Sequence, residues 1–420
     1  MNPAAAADRR SQRLSLLFSC LGHGTMHALT ALFLTVVLVL ERAWQAPYEE
    51  LIRLWTLGAL LVGLGAPLAG WLSDRWSQSR MMVAMFVLTG GGALSAGMAQ
   101  DKAQMTAALA VLGLGASIYH PVGMAWTVKN AAARGSAIAV NGICGSIGLA
   151  SAGLLAGGLS AAFGWRAAFL LPGGLALLAG IVLAALILAG LVADRNVDVR
   201  PHALPHRGDV TRAFIVLSVT MLALGLASQA ISVVMPKWVE ERLGGLLDGS
   251  GSAGFGVGGL VTLVYLVAGL PQLLGGVLAD RMPIRRLYVL CLAGQVPLLL
   301  LAAAAPGLGA VAMSMLIIGL MNTQAPAENL LLAQYTPDRH RGLAYGAKFI
   351  LSFGVGPLAV QLVAWCHDQT GDVGLLLSLL AGLAGIAFLA ALLLPRDAGR
   401  RFPALAAAAV RAASAPGGSG

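Results

Sequence analysis

Two charged side chains, Glu328 and Lys348, stand inside long apolar stretches of the sequence. A charge removed from water is costly unless it is paired, so residues of this kind usually have a partner or a function. Counted along helices at about 1.5 Å per residue, Glu328 lies about 13 Å from Pro337 and Lys348 about 9 Å from Gly342. The two side chains would therefore reach a similar depth, which makes an ion pair feasible.

Three chemical roles are open to this pair. A glutamate in a poorly hydrated cavity binds a proton readily, and a nearby cation favours its ionised form, so Glu328 is a candidate proton carrier. Lys348 could instead hold an anionic substrate. A purely structural pair, or a lysine that extends its ammonium towards water, is the third possibility.

Histidines form the second group of candidates. His23 and His27 are four residues apart and would share one face of a helix, and His120 precedes Pro121. Because histidine titrates near neutrality, the three suit a proton relay or substrate binding. Hydrogen bonding to a neighbouring helix is the alternative for each. The spacing of His23 and His27 also suits metal ligands, but no carboxylate or cysteine accompanies them, so the sequence predicts no metal site.

Five further polar side chains in apolar runs are candidates to line a substrate cavity. They could equally join neighbouring helices by hydrogen bonds. These residues are Asn141, Ser228, Gln229, Asn322 and Gln324.

The composition indicates that lipid, rather than water, surrounds most of the chain. Of 420 residues, 58% are hydrophobic and 11% are charged, whereas soluble proteins carry about 25% charged residues. The net charge of +9 comes from short scattered clusters, which argues against nucleic-acid binding. The four cysteines are far apart, so neither a disulfide framework nor a zinc site is predicted.

Twelve apolar runs are long enough to cross a bilayer, which needs about 20 residues. Lys and Arg are concentrated in alternate connections, which places both termini in the cytoplasm. The first run is too long for a signal peptide and is read as an uncleaved span. The predicted runs are 14–39, 51–72, 81–99, 104–127, 135–162, 166–192, 213–236, 254–279, 286–305, 307–333, 343–366 and 373–394. The junctions at 164–166 and 305–307 are tight.

An internal repeat divides the chain into two halves. The segment 70–75 (GWLSDR) returns as 276–281 (GVLADR), and Pro121 and Pro326 recur at nearly the same offset of about 206 residues. Lys348 corresponds to Asn141 in the first half, which confines the charged chemistry to the second half. The predicted units are 1–193 and 213–395, with a cytoplasmic linker over 194–212 and a disordered cytoplasmic tail over 396–420. A short helix on the membrane surface over 402–413 is the alternative for part of that tail.

Three of these segments resemble motifs of the major facilitator superfamily. Residues 70–80 (GWLSDRWSQSR) resemble its signature loop between helices 2 and 3, residues 276–281 resemble the partner loop between helices 8 and 9, and residues 163–166 (FGWR) resemble its turn between helices 5 and 6. Ser77 stands where that signature usually has a glycine, and 282–284 (MPI) replaces the glycine of the second loop. The resemblance implies an all-α integral membrane fold of twelve transmembrane helices, in two six-helix bundles related by a pseudo-two-fold axis, with helices 1, 4, 7 and 10 lining the cavity.

Within that superfamily, His23, residues 119–121 (YHP) and the segment 335–356 resemble fosmidomycin-resistance-type and related efflux proteins. This resemblance implies a drug or metabolite exporter that is driven by protons.

The two signature loops are predicted to gate the cytoplasmic side. Asp74 would face the start of a helix near Gly342, and Asp280 one near Gly135, where a carboxylate gains about 0.3–1 kcal/mol from the helix dipole. These contacts would break during transport. Solvated loop charges are the alternative. The predicted gate comprises Gly70, Asp74, Arg75, Arg80, Arg134, Gly276, Asp280, Arg281 and Arg341.

The sequence as a whole predicts a proton-coupled secondary transporter of the inner (plasma) membrane, which exports a small organic compound or drug by alternating access. It needs no cofactor besides the proton gradient, and no Walker A motif is present. Import of a small organic anion is the alternative. A membrane-embedded transferase is remote, since no long external loop carries a catalytic pair, so the chain is not expected to be an enzyme. A small-molecule substrate and the lipid bilayer are its expected partners, with no nucleic acid and no obligate protein partner, and we expect a monomer.

Overall fold

The computed structural model describes residues 3–130, 134–194, 207–247, 253–336 and 341–395, and these residues form helices and short turns without strands. Among the described residues, twelve helices are long and apolar enough to cross a membrane, as predicted. The tail predicted over 396–420 and most of the predicted linker lie outside the described residues. The helices are α1 (Pro3–Trp44), α2 (Tyr48–Arg75), α3 (Gln78–Met98), α4 (Lys102–Asn130), α5 (Arg134–Phe163), α6 (Trp165–Leu188), α7 (Arg207–Leu247), α8 (Ala253–Gly269 and Pro271–Arg281), α9 (Ile284–Ala304), α10 (Gly307–Tyr335), α11 (Arg341–Phe353 and Gly356–Thr370) and α12 (Gly374–Leu392).

Equivalent helices make equivalent contacts in the two halves of the chain. In the first half α1 packs on α5, α2 on α4, and α3 on both α4 and α6. In the second half α7 packs on α11, α8 on α10, and α9 on both α10 and α12. The halves meet where α2 contacts α11 and where α5 contacts α8. Because these two contacts exchange under the same pairing, the packing has the pseudo-two-fold pattern that a duplicated transporter shows.

Glycines allow the two halves to approach closely. A Cβ at Gly258 of α8 would overlap the carbonyl oxygen of Gly153 on α5, and a Cβ at Gly63 of α2 would overlap Gly354 on α11. Small residues at such contacts are typical of helices that pack in lipid, where no hydrophobic effect drives them together.

The two tight junctions of the sequence are real helix breaks. Gly164 alone separates α5 from α6 and has a φ of 84°, and Gly307, which starts α10, has a φ of 52°. A side chain is strained at these φ values, so glycine is the residue that permits both turns.

Two helices extend well beyond the predicted apolar runs. The first run was predicted to end at residue 39, but α1 continues to Trp44; the seventh was predicted over 213–236, but α7 runs from Arg207 to Leu247. Residues 207–212, which fall in the predicted linker, therefore form the first turns of α7. Past residues 39 and 236 the two helices carry charged residues that pair with each other, as Glu41 and Lys237 do, and these pairs support the extensions to Trp44 and Leu247.

A broad apolar surface faces outward around the bundle. The most apolar part of α6 has a mean hydropathy of 2.5, yet only 22% of it is buried. Leu175 is 68% exposed and Leu188 is 89% exposed. Soluble monomers rarely expose apolar patches of this extent, so lipid covers this surface and the chain is a multi-pass membrane protein. Below, the terminal face is the one at which α1 begins and α12 ends, and the distal face is the opposite one.

Candidate functional site

Glu328 of α10 and Lys348 of α11 form an ion pair inside the second half. The Lys348 Nζ lies 2.8 Å from Glu328 Oε1, and the two side chains are 14% and 10% exposed. Lys348 also donates a hydrogen bond of 2.6 Å to Asn329 Oδ1. The proximity predicted from their depths is confirmed. With so little water around them, each charge depends on the other for its stability.

A chain of hydroxyl groups continues from the other oxygen of Glu328. The Tyr288 hydroxyl on α9 lies 3.2 Å from Glu328 Oε2 and 2.8 Å from Thr220 Oγ1 on α7. Thr220 donates its own proton to the Leu217 carbonyl oxygen. Tyr288 has one proton, which it can donate to the ionised carboxylate or to Thr220. In the second case a protonated Glu328 can donate to Tyr288, so hydrogen bonds are available to both protonation states of Glu328.

His23, His27 and His120 converge on one spot. Their ring centroids lie 5.0 Å (His23–His27), 5.6 Å (His23–His120) and 5.5 Å (His27–His120) apart. One ring nitrogen from each lies within 4.8 Å of those of the other two. His120 stacks on Phe349 and Phe353 of α11, with centroids 5.2 and 5.1 Å away. The histidines come from the first half and the phenylalanines from the second, so this group, the histidine cluster, lies where the halves meet.

The His23 ring is held in one orientation. Its Nδ1 lies 2.8 Å from the backbone carbonyl oxygen of Asn141, its face stacks on Tyr119 at 4.6 Å, and it packs against Gly145, where a Cβ would clash with the ring. A carbonyl oxygen can only accept, so Nδ1 donates, and Nε2 keeps a free lone pair.

Asn141 has a different place from the one predicted. Its side chain is fully buried and hydrogen-bonds the Tyr119 hydroxyl and Ser19 Oγ, with Nδ2 donating at 2.8 and 3.1 Å. These bonds join α5 to α4 and α1. A substrate in a cavity between the halves would not touch this amide in the present conformation. Asn141 instead supports the histidine cluster, because its backbone carbonyl oxygen holds the His23 ring.

A cavity of about 120 Å³ lies between the halves, lined by α5 of the first half and by α7, α8 and α10 of the second. Ser228, predicted to line a cavity, does line it, together with Ser146 of α5, which follows the Gly145 that packs on His23. Asn322 also lines it, while its Nδ2 donates to the Ala268 carbonyl oxygen.

Two other predicted cavity residues point elsewhere. Gln324 is buried and accepts a hydrogen bond of 2.6 Å from Gln295 on α9, and so serves as a link between helices. Gln229 is half-buried beside Gly356 of α11. Neither side chain is among those that line the cavity.

The terminal-face loop between α2 and α3 is exposed and makes local contacts. Asp74 makes no hydrogen bond or ion pair with the described residues, and the Arg75 guanidinium lies over the Trp71 ring, 4.1 Å from its centroid. Ser77 caps α3 by accepting from the Arg80 backbone N–H, and it donates to the Asp194 carboxylate at 2.6 Å.

The other half of the predicted gate is only partly visible. Gly276 has open space around it, whereas Gly70 faces Pro121, 3.4 Å from where a Cβ would lie. Arg281 is exposed. The predictions for Arg134, Asp280 and Arg341 fall on side chains outside the described part of the structure, so the gate stays a prediction.

Charged residues that the sequence did not single out join the halves at the distal face. Lys237 of α7 lies 3.1 Å from Glu41 of α1. His367 of α11 lies 3.4 Å from Glu49 of α2 and 3.1 Å from Glu241 of α7. The distal charge cluster, as we call it, consists of Glu41, Glu49, Lys237, Glu240, Glu241, Arg242, His367 and Asp372.

All hydrogen bonds and ion pairs that join the two halves, counted between described residues, lie from mid-span to the distal face. The signal in the sequence was the group KWVEER at 237–242, whose charges stand at helical spacing directly after an apolar run. From hydropathy alone these residues fall outside the predicted span, because the apolar run ends at residue 236.

Comparison with known proteins agrees with this architecture. The family model described as Major Facilitator Superfamily matches residues 14–269 and 217–416. One similar solved structure is a bacterial homologue of the human lysosomal transporter Spinster, inward-facing and unoccupied, with 15% identity and a TM-score of 0.64 over 95% of this chain and 96% of that one. Another is the peptide transporter POT in complex with sulfate, with 14% identity and a TM-score of 0.73 over 93% and 95%. No curated protein matches the sequence.

Proposed function

Because the chain belongs to the major facilitator superfamily, we propose that it is a proton-coupled secondary transporter that exports a small organic compound by alternating access. The observation that carries the coupling is the buried ion pair of Glu328 and Lys348, 2.8 Å apart inside the second half. A transporter of this family is not an enzyme, so the charged residues are assigned to binding and coupling rather than to catalysis.

The hydrogen bonds of Glu328 support two states. When ionised, the carboxylate accepts from Lys348 and Tyr288. When protonated, it no longer attracts Lys348 by charge, but it can donate to Tyr288 while Tyr288 donates to Thr220. Protonation of Glu328 therefore replaces its ion pair with Lys348, and the loss of this pair allows α10 and α11 to move relative to each other.

The contacts between the halves support alternating access. The distal charge cluster and the glycine contacts hold the halves together from mid-span to the distal face, while Asp74 on the terminal face has no bonding partner among the described residues. This arrangement suits a state closed at the distal face. In the opposite state the gate around Asp74 and Asp280 would form and the distal charge cluster would separate.

The charges at the ends of the helices support the orientation. Most Lys and Arg residues outside the spans fall on the terminal face, including Arg75, Arg80, Arg281 and Arg285. By the positive-inside rule that face is cytoplasmic, so we place both termini in the cytoplasm and the protein in the inner (plasma) membrane.

Import of an organic anion is the second candidate, with Lys348 as the anion site. Against it, Lys348 already contacts Glu328 and Asn329, so an anion would have to displace both. The direction of transport separates the two candidates.

Everted membrane vesicles test the proposal. Respiration acidifies their interior, and a pH-sensitive dye reports loss of the gradient when a proton antiporter admits an added compound. Wild type should release protons for at least one compound in a panel of organic cations, anions and drugs, and Glu328→Gln should not. Proton release that is equal in wild type and Glu328→Gln would contradict the coupling role, and proton-driven uptake only in right-side-out vesicles would favour the importer.

A further inference from the structure

We propose that His23, His27 and His120 bind one divalent transition-metal ion of borderline character, such as Zn²⁺, Co²⁺ or Ni²⁺. Three imidazoles from two helices converge so that one nitrogen of each lies within 4.8 Å of the corresponding nitrogens of the other two. Histidine nitrogens bind these metals at about 2.0–2.1 Å, which places ligand atoms about 3.3 Å apart in a tetrahedral site. A bound ion would therefore require the ligand atoms to approach one another by up to about 1.5 Å. The sequence had predicted no metal site, because it showed the pair on α1 but not the third ligand from α4.

The second shell of the cluster has the form that metal sites use. The His23 Nδ1–H donates to the Asn141 carbonyl oxygen, which leaves Nε2 as the ligand atom. Metal-bound histidines usually donate their other nitrogen in this way, which fixes ring orientation and raises ligand basicity. Asn141 is in turn held by Tyr119 and Ser19.

His120 offers a nitrogen that the protein leaves unused. Its Nε2 is buried and has no hydrogen-bond partner. Phe349 and Phe353 stack on the faces of the ring and supply no polar group to it. A buried nitrogen without a partner costs about 1–3 kcal/mol, and a bound metal ion would satisfy it.

The charge balance indicates how the ion would arrive. Three neutral imidazoles bring no negative charge, and none of the ion pairs between described residues includes these histidines. A dication at this depth is costly unless an anion accompanies it. We therefore expect an anionic fourth ligand, such as a carboxylate of a small chelator. The cargo would then be a metal–carboxylate complex, and this part of the inference rests on the proposed function.

Binding is tested in detergent, where no gradient is needed. The full-length protein, purified with an affinity tag that contains no histidine and freed of metal, is titrated with Co²⁺ while the visible absorption of the bound ion is recorded. We expect one Co²⁺ per chain. His27→Gln and His120→Gln should each weaken binding at least about 100-fold, since even second-shell changes at metal sites cost 10–100-fold. Thermal unfolding shows whether each variant is folded.

Three of the four remaining histidines provide the matched control, and His367 of the distal charge cluster is left in place. His202, His206 and His340 lie outside the described residues, and their combined replacement by glutamine should leave Co²⁺ binding unchanged. Absence of binding in wild type, binding unchanged in both His27→Gln and His120→Gln, or binding lost in the control variant would each overturn the site.

The cargo assignment has a separate readout. Co²⁺ alone and Co²⁺ with equimolar citrate are added to the everted vesicles described above. We expect proton release with the citrate complex in wild type and none in His27→Gln. Site binding without such release would show a bound ion that is not cargo, and proton release with organic compounds alone would leave the proposed function standing without a metal substrate.

Discussion

Replacement of Lys348 by methionine tests whether the ion pair with Glu328 lies in a poorly hydrated environment. At 2.8 Å and an effective dielectric constant of about 20, the attraction between the two charges is about 6 kcal/mol before desolvation is subtracted. Removal of one partner of a buried pair usually costs about 3–5 kcal/mol, because the other charge is left uncompensated. We therefore expect Lys348→Met to lower the free energy of unfolding by that amount.

Two further variants make this prediction sharp. The double variant Glu328→Gln, Lys348→Met removes both charges, and we expect it to recover most of the loss, since a neutral pair needs no compensation. Lys102 and Glu50 form a pair of the same chemistry at 2.6 Å, but their side chains are 42% and 49% exposed. We expect Lys102→Met to cost less than about 1 kcal/mol, because water screens that pair.

The assay is unfolding of the detergent-solubilised protein by increasing sodium dodecyl sulfate, followed by circular dichroism. If Lys348→Met and Lys102→Met lowered the free energy of unfolding equally, the argument from burial would be refuted. Additive costs of Lys348→Met and Glu328→Gln in the double variant would refute direct coupling of the two side chains.

Three further predictions concern the movement of the halves. Gly258→Ala should lower the free energy of unfolding by about 1–3 kcal/mol, because its Cβ would overlap the Gly153 carbonyl oxygen. Gly259 has open space around it, so Gly259→Ala should have no such effect. Equal shifts of the thermal unfolding temperature in the two variants would contradict the close contact. Lys237→Met removes the ion pair with Glu41, so an impermeant maleimide should label a cysteine on the distal face faster than in wild type. Unchanged labelling would exclude a role of this ion pair in closing the distal face. Asp74→Asn should change the free energy of unfolding by no more than about 0.5 kcal/mol, because the side chain is exposed. If the predicted gate forms in the opposite state, the same variant should transport more slowly than wild type. An unchanged transport rate would contradict the gate.

The sequence located residues along the membrane normal better than around the helix axes. Depth follows from counting about 1.5 Å per residue, which is why the proximity of Glu328 and Lys348 was predictable. Direction around a helix normally follows from an apolar stripe, but helices in lipid are apolar on most sides. For this reason the sequence could not show that His120 meets His23, or that Asn141 faces away from the cavity.

The distal charge cluster was missed for a different reason. Hydropathy marks where a helix leaves the hydrocarbon, and Lys237 and Glu41 lie beyond that point, so the predicted spans 14–39 and 213–236 exclude them. Whether a helix continues past its apolar run depends on partners from distant parts of the chain, here α1 and α7. A single sequence contains the charges but not their pairing.

The two candidate sites share one structural element. Lys348 pairs with Glu328 on one side of α11, and the next residue, Phe349, stacks on His120 of the other half. Protonation of Glu328 removes the charge that holds Lys348, so it releases a constraint on the same turn of α11 that covers the histidine cluster. A ligand that moves His120 acts on Phe349 and Phe353 in return. Since both events would act on the position of α11, we propose that proton binding and cargo binding are linked through this helix without a direct contact between the two sites.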